Sequence, residues 1–235
     1  MRALAIVHEA DAGPGVFADE MEARGVALET WPIRETEDPP ADPLGYDAVL
    51  TFGGAMNVHE RDAHPWIDRE LALLAELVER GTPLLGACLG TQLLAEAAGG
   101  AVARAAEPEI GWFRVEVLAA GARDPLLAPL APEFEAFQWH SYAAEPPPGA
   151  VALARSAVCP QAYRIGERAW GIQFHAEVNR ANVQQWIDHW RDDADAVTIG
   201  LDVEALRADT LARIEAWNRL GRELCGRFLD YSGVT

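Results

Sequence analysis

Through the first hundred residues, short apolar runs alternate with segments whose apolar residues recur every three or four positions. The runs at 3–7, 48–52 and 83–88 and the extended segment 26–31 read as strands; an uninterrupted apolar strand needs cover on both faces. Between them, 16–24, 66–80 and 91–98 carry apolar residues at helical spacing. This alternation predicts an α/β fold, a mostly parallel central sheet flanked by helices on both sides.

The pattern then changes. Segments 112–118, 136–140, 151–156, 162–165 and 169–174 are short, rich in Val and aromatics, and separated by turn clusters such as EPPPG at 145–149. They are expected to add strands, some antiparallel, to the same core. From 180 to 228 helical spacing returns, with Val183, Trp186, Ile187 and Trp190 on one stripe and Leu206, Leu211, Ile214, Trp217 and Leu220 on another. These stripes are expected to cover the sheet; their tryptophans offer a second role, anchoring a partner or second subunit. One domain over 1–192 with a helical extension over 193–235 packed on it follows.

Charge and composition narrow the function. A net charge of −18 argues against nucleic acid and anionic membrane surfaces, where Lys and Arg must neutralise phosphate. No lysine is present, which excludes a P-loop and a Schiff-base lysine within this chain. Three cysteines without CxxC pairing imply reduced thiols, and neither a signal peptide nor a membrane-spanning run is apparent. A soluble, cytoplasmic protein is expected.

The stretch LLGACLGTQLLAEAAGG, 84–100, places Cys88 where a strand turns sharply into a helix. Gly86 and Gly90 flank it as glycines flank the serine of a G-x-S-x-G elbow, relieving collisions at the turn. The helix N-terminus favours negative charge on the sulfur, and the Leu89 N–H points toward an oxyanion formed above it. In AWGIQFHAEV, 169–178, His175 ends a strand and Glu177 lies two residues on, on the same face. The carboxylate can thus orient the imidazole, the arrangement a cysteine nucleophile needs. In TFGGAMNV, 51–58, Gly54 offers a second oxyanion donor. The remaining histidines, 8, 59, 64, 140 and 189, show no metal spacing, and no metal site is expected.

GACLGTQLLAEAAGG, TFGGAMNV and WGIQFHAEV together resemble class I (triad) glutamine amidotransferases, especially stand-alone relatives of the GMP synthase amidotransferase domain. The resemblance, over roughly residues 45–180 and echoed by EPEIGWFRVEV at 107–117, implies a flavodoxin-like architecture. It implies that Cys88 attacks the glutamine side-chain amide, His175 carries the proton to departing ammonia and Glu177 supports the histidine. It matches Gly54 and Leu89 to the oxyanion donors and Gln92 to a substrate contact. QWHSY at 138–142, with Ser141 and Tyr142, falls where the family holds the substrate's amino and carboxylate groups. Tyr142 departs from a place often acidic in this subgroup, and the helical extension beyond the histidine is a second departure.

The implied activity is ammonia release through a cysteinyl thioester, without a cofactor, supplying a separate synthetase. The alternatives are hydrolysis of γ-glutamyl conjugates by the same triad, or a catalytically idle, partner-binding relative. A homodimer is a further possibility for the assembly.

Overall fold

The four-residue apolar runs at Ala48–Thr51 (β3) and Leu84–Ala87 (β4) lie side by side in the sheet, every residue buried. The computed structural model describes residues 1–233. Arg2–Val7 (β1) and Ala27–Pro32 (β2) extend the sheet on one side of β3, and Ala169–Ile172 (β9) pairs with β4 on the other. These five strands are mutually parallel. Pro160–Ile165 (β8), Val151–Arg155 (β7), Ala101–Val117 (β5) and Glu133–Glu145 (β6) continue it antiparallel, in the order β2-β1-β3-β4-β9-β8-β7-β5-β6.

The two-residue period of a strand divides the core. In β1, Ala3, Ala5 and Val7 join one apolar layer, while Leu4 and Ile6 join the other. The first layer is closed by Gly15–Ala23 (α1), Arg180–Asp188 (α4) and Val203–Tyr231 (α6). Trp66–Arg80 (α2) and Leu89–Ala97 (α3) close the second. Cover on both faces is why the central parallel strands β3, β4 and β9 are buried throughout, whereas the edge strand β2 carries Glu29 and Thr30.

Two expectations need correction. The antiparallel pair β5 and β6 is much longer than the segments 112–118 and 136–140, running to 17 and 13 residues. Residues 101–111 are rich in Ala and Glu and contain Pro108, so local propensity conceals a strand that distant pairing with β6 creates. A register shift between Arg104 and Glu109 accommodates that proline. The apolar face of α6 also differs. Leu211 is 56% exposed, whereas Thr210 is buried and accepts a 3.1 Å hydrogen bond from the Trp112 indole. The buried stripe therefore runs through Leu206, Thr210, Ile214 and Trp217, at the spacing of a straight helix.

Helix α6 approaches the chain that follows β9 closely enough to satisfy its carbonyls. Asn218 Nδ2 donates to Val178 O at 2.7 Å, and a Cβ at Gly221 would collide with Ala176 O. Ala194–Thr198 (α5), between α4 and α6, is a single capped turn.

Candidate active site

Cys88 occupies the junction of β4 and α3 with φ 51° and ψ −111°, the one non-glycine positive φ among the described residues. Such backbone costs about 1–3 kcal/mol and persists only where its surroundings enforce it. Here Cys88 N donates to Ile172 O of β9 and Gly90 N to Phe52 O, both at 2.9 Å. Sterics explain the flanking glycines. A Cβ at Gly86 would lie 2.6 Å from Gly90 O, and one at Gly90 would overlap Thr51 O.

His175 follows β9, its backbone N donating to Phe137 O of β6 at 2.9 Å. Its Nδ1 hydrogen-bonds Glu177 Oε1 at 2.7 Å, with both side chains buried. That leaves Nε2 free on the side of the cleft that the ring shares with Cys88. Burial lowers the pKa of His175, but the Cys88 sulfur and the Glu177 carboxylate outweigh it and raise the value to about 10. The surroundings of the ring therefore favour its protonated form. Trp186 of α4 packs edge-on against it, ring centroids 4.8 Å apart.

Cys88 and His175 line a cleft of about 440 Å³ together with Gly54, Leu89, Gln92, Ser141 and Tyr142, so all but the buried Glu177 of the sequence-derived candidates face one space. The amides of Gly54 and Leu89 donate to no acceptor among the described residues. The loop carrying Gly54 rests on a buried network: His8 Nε2 bonds Glu70 Oε2 at 2.7 Å, and Thr51 Oγ1 donates to Glu70 Oε1 at 2.6 Å. Gln92 Nε2 donates to Tyr142 O at 2.9 Å, which leaves its Oε1 to accept from a ligand.

Trp139, within the QWHSY stretch, also lines the cleft, and so do Trp186, His189, Asp192, Asp193 and Asp195 from the chain beyond His175, which no site motif marks. Trp186 and Trp217 both turn inward, which answers the choice between cover and docking for these two residues. RDDAD at 191–195 reads as a solvated charge run, and only the turn around α5 brings it back over β6. Asp193 caps α5 and accepts from the Trp139 indole at 2.9 Å. Asp195 pairs with Arg104; the Ser141 hydroxyl first, and then Arg104, holds its carboxyl below the usual range against the opposing effect of burial.

Sequence spacing also missed a buried cluster. Glu109, His140 and Cys159 come from three separate segments, with candidate ligand atoms within 4.8 Å of one another. Glu109 Oε2 is already its hub, accepting from Gln161 Nε2 at 2.8 Å, Ser156 Oγ at 3.0 Å and Cys159 Sγ at 3.4 Å. The cluster joins β5, β6 and the turn before β8, with His140 Nε2 3.3 Å from the same Glu109 oxygen.

A strained cysteine elbow feeding a helix, a histidine–glutamate pair against it and two unengaged amides beside the sulfur make an arrangement suited to acyl transfer. The family model described as "Glutamine amidotransferase class-I" matches residues 15–187. The chain belongs to the class I glutamine amidotransferase family. It is 30% identical to the glutamine amidotransferase-like protein YfeJ of Salmonella typhimurium, over 98% of this chain and 96% of that one. A glutamine amidotransferase structure from Thermotoga maritima superposes with a TM-score of 0.88 at 26% identity, covering 98% of each chain. Two further relatives match over part of their length. GMP synthase of Thermomicrobium roseum is 37% identical over 57% of this chain and 24% of its own length. The gamma-glutamyl-L-1-hydroxyisopropylamide hydrolase of a Pseudomonas species is 32% identical over 58% of this chain and 49% of its own. Among the described residues no helix is long and apolar enough to cross a membrane.

Proposed function

We propose that this amidotransferase hydrolyses the side-chain amide of glutamine through a thioester on Cys88. The observation carrying the reading is a strained Cys88 elbow sharing one cleft with a histidine whose Nδ1 is committed to Glu177. The Cys88 thiolate attacks the γ-carbonyl carbon, and the oxyanion is received by the N–H groups of Leu89 and Gly54. His175 gives its Nε2 proton to the amide nitrogen, the C–N bond breaks and ammonia leaves. Water then attacks the thioester while His175 takes its proton. The C–S bond breaks, glutamate departs, and the thiolate–imidazolium pair is restored. Glu177 holds the imidazole orientation and stabilises its positive charge. Gln92, Ser141 and Tyr142 bind the amino-acid end of the substrate.

The ammonia is consumed by a separate synthetase in this reading, by analogy with the GMP synthase relative. Cleavage of a γ-glutamyl conjugate is the second reading, favoured by the similarity to the Pseudomonas hydrolase. Its chemistry is identical, with an amine leaving in place of ammonia. Purified protein assayed for amine release on glutamine and a panel of γ-glutamyl amides, with Cys88→Ala as control, decides between them. Turnover by the Cys88→Ala protein equal to wild type would overturn both.

A further inference from the structure

A γ-glutamyl substrate ends in an α-ammonium and an α-carboxylate, and the ammonium calls for a carboxylate partner in the cleft. The four bonds from the side-chain amide carbon to the α-nitrogen reach roughly 5 Å. Cys88 Sγ lies 3.8 Å from the carbonyl oxygen of Trp139 on β6. Ser141 is two residues further along that strand, about 7 Å at the rise of an extended chain. The ammonium can therefore reach the Ser141 end of the cleft when the amide carbon meets the sulfur.

Five carboxylates line the cleft. Glu9 is engaged by Arg34 and by the Ala55 amide, and both oxygens of Asp193 are used in capping α5 and holding Trp139. Asp192 is exposed, and neither it nor Asp11 has a side-chain contact to β6 among the described residues. Asp195 lines the cleft with Ser141, whose hydroxyl helps to hold its carboxyl below the usual range, and it is anchored by Arg104. Its side chain is 22% exposed, and Arg104 engages only its Oδ1, so that, unlike Glu9 and Asp193, it keeps a whole carboxylate oxygen, Oδ2, to accept from a ligand.

We propose that Asp195, carried to the cleft by the extension beyond His175, is the specificity-determining carboxylate that receives the substrate's α-ammonium. Ser141 and Arg104 hold it in place. The proposal rests on the amide-hydrolysis reading and adds a residue that no sequence motif marks. It gives the extension a direct part in recognition as well as packing.

The test compares glutamine with glutaric acid monoamide, which keeps the carboxylate and amide but lacks the ammonium. Wild type, Asp195→Asn and Asp195→Glu are assayed on both. If wild type prefers a γ-glutamyl alkylamide, its glutaryl counterpart replaces the monoamide. Asp195→Asn should raise KM about 10- to 100-fold for the amino-acid substrate, with kcat within a few-fold and the des-amino compound unaffected. Asp195→Glu should recover part of the loss, and iodoacetamide should label Cys88 at the wild-type rate in all three. An equal loss on both compounds makes Asp195 a structural residue and overturns the proposal, as does no loss at all. A wild type inert toward every γ-glutamyl amide overturns the amide-hydrolysis reading itself; an active wild type with an unaffected Asn variant overturns only this proposal.

Discussion

The indole of Trp217 donates a 2.7 Å hydrogen bond to the backbone carbonyl of His175, tying the long C-terminal helix to the proposed general acid. Both residues are buried, so no water can replace the bond. Trp217→Phe keeps most of the aromatic packing against Phe134 and Phe174 but orphans the carbonyl. The expected cost is about 1–3 kcal/mol in unfolding free energy, together with a fall in kcat, measured by urea denaturation and steady-state assay. Wild-type stability in this variant would contradict it.

The triad residues should act as a unit. Cys88→Ala is expected to abolish turnover and thioester formation, and His175→Ala to cost nearly as much. Glu177→Gln should lower kcat by about 10²- to 10⁴-fold, because the amide cannot stabilise the imidazolium. Single-turnover measurements with mass detection of the acyl-enzyme check all three.

The pH dependence follows from the raised value of His175. A folded-state pKa near 10 against 6.5 for the free side chain means the group binds its proton more tightly when folded. Its stabilisation is fully present below about pH 6.5 and is lost as pH rises through about 10. Activity needs the same proton for the leaving amine, so kcat should decline on an alkaline limb near 10. A limb near 6.5 in the pH–rate profile would contradict the thiolate–imidazolium pair.

Cysteine reactivity should be confined to one position. Burial, and then the charge of Glu109, push the Cys159 thiol up to about 12; burial raises Cys225 as well. Only Cys88 lines the cleft. A glutamine-like chloroketone should alkylate Cys88 alone, with free glutamine protecting it. Peptide mapping that finds the three labelled equally would sink the assignment.

The elbow glycines are steric requirements. Gly90→Ala places a methyl group against the Thr51 carbonyl, backbone on backbone, with no side chain able to move aside. A loss of about 3 kcal/mol or more is expected, read as a lowered Tm in calorimetry. Gly99→Ala has open space around it but a φ of +83°, so its smaller cost arises from backbone strain alone.

What the sequence determined by itself was local. The continuous apolar runs of β1, β3 and β4 announce burial on two faces, and the GACLG elbow and FHAE strand end each occupy only a few residues. Chemistry packed into short segments is legible because backbone geometry alone puts its groups together. The tertiary structure decided what depends on distant pairing. Residues 101–111 become strand only because β6 lies beside them. The hub at Glu109 forms because three strands and loops converge. The acidic run at 191–195 enters the cleft because α5 turns back over β6 and Asp193 and Asp195 bind Trp139 and Ser141 there. These contacts join residues some fifty positions apart, and neither periodicity nor spacing carries information across that distance.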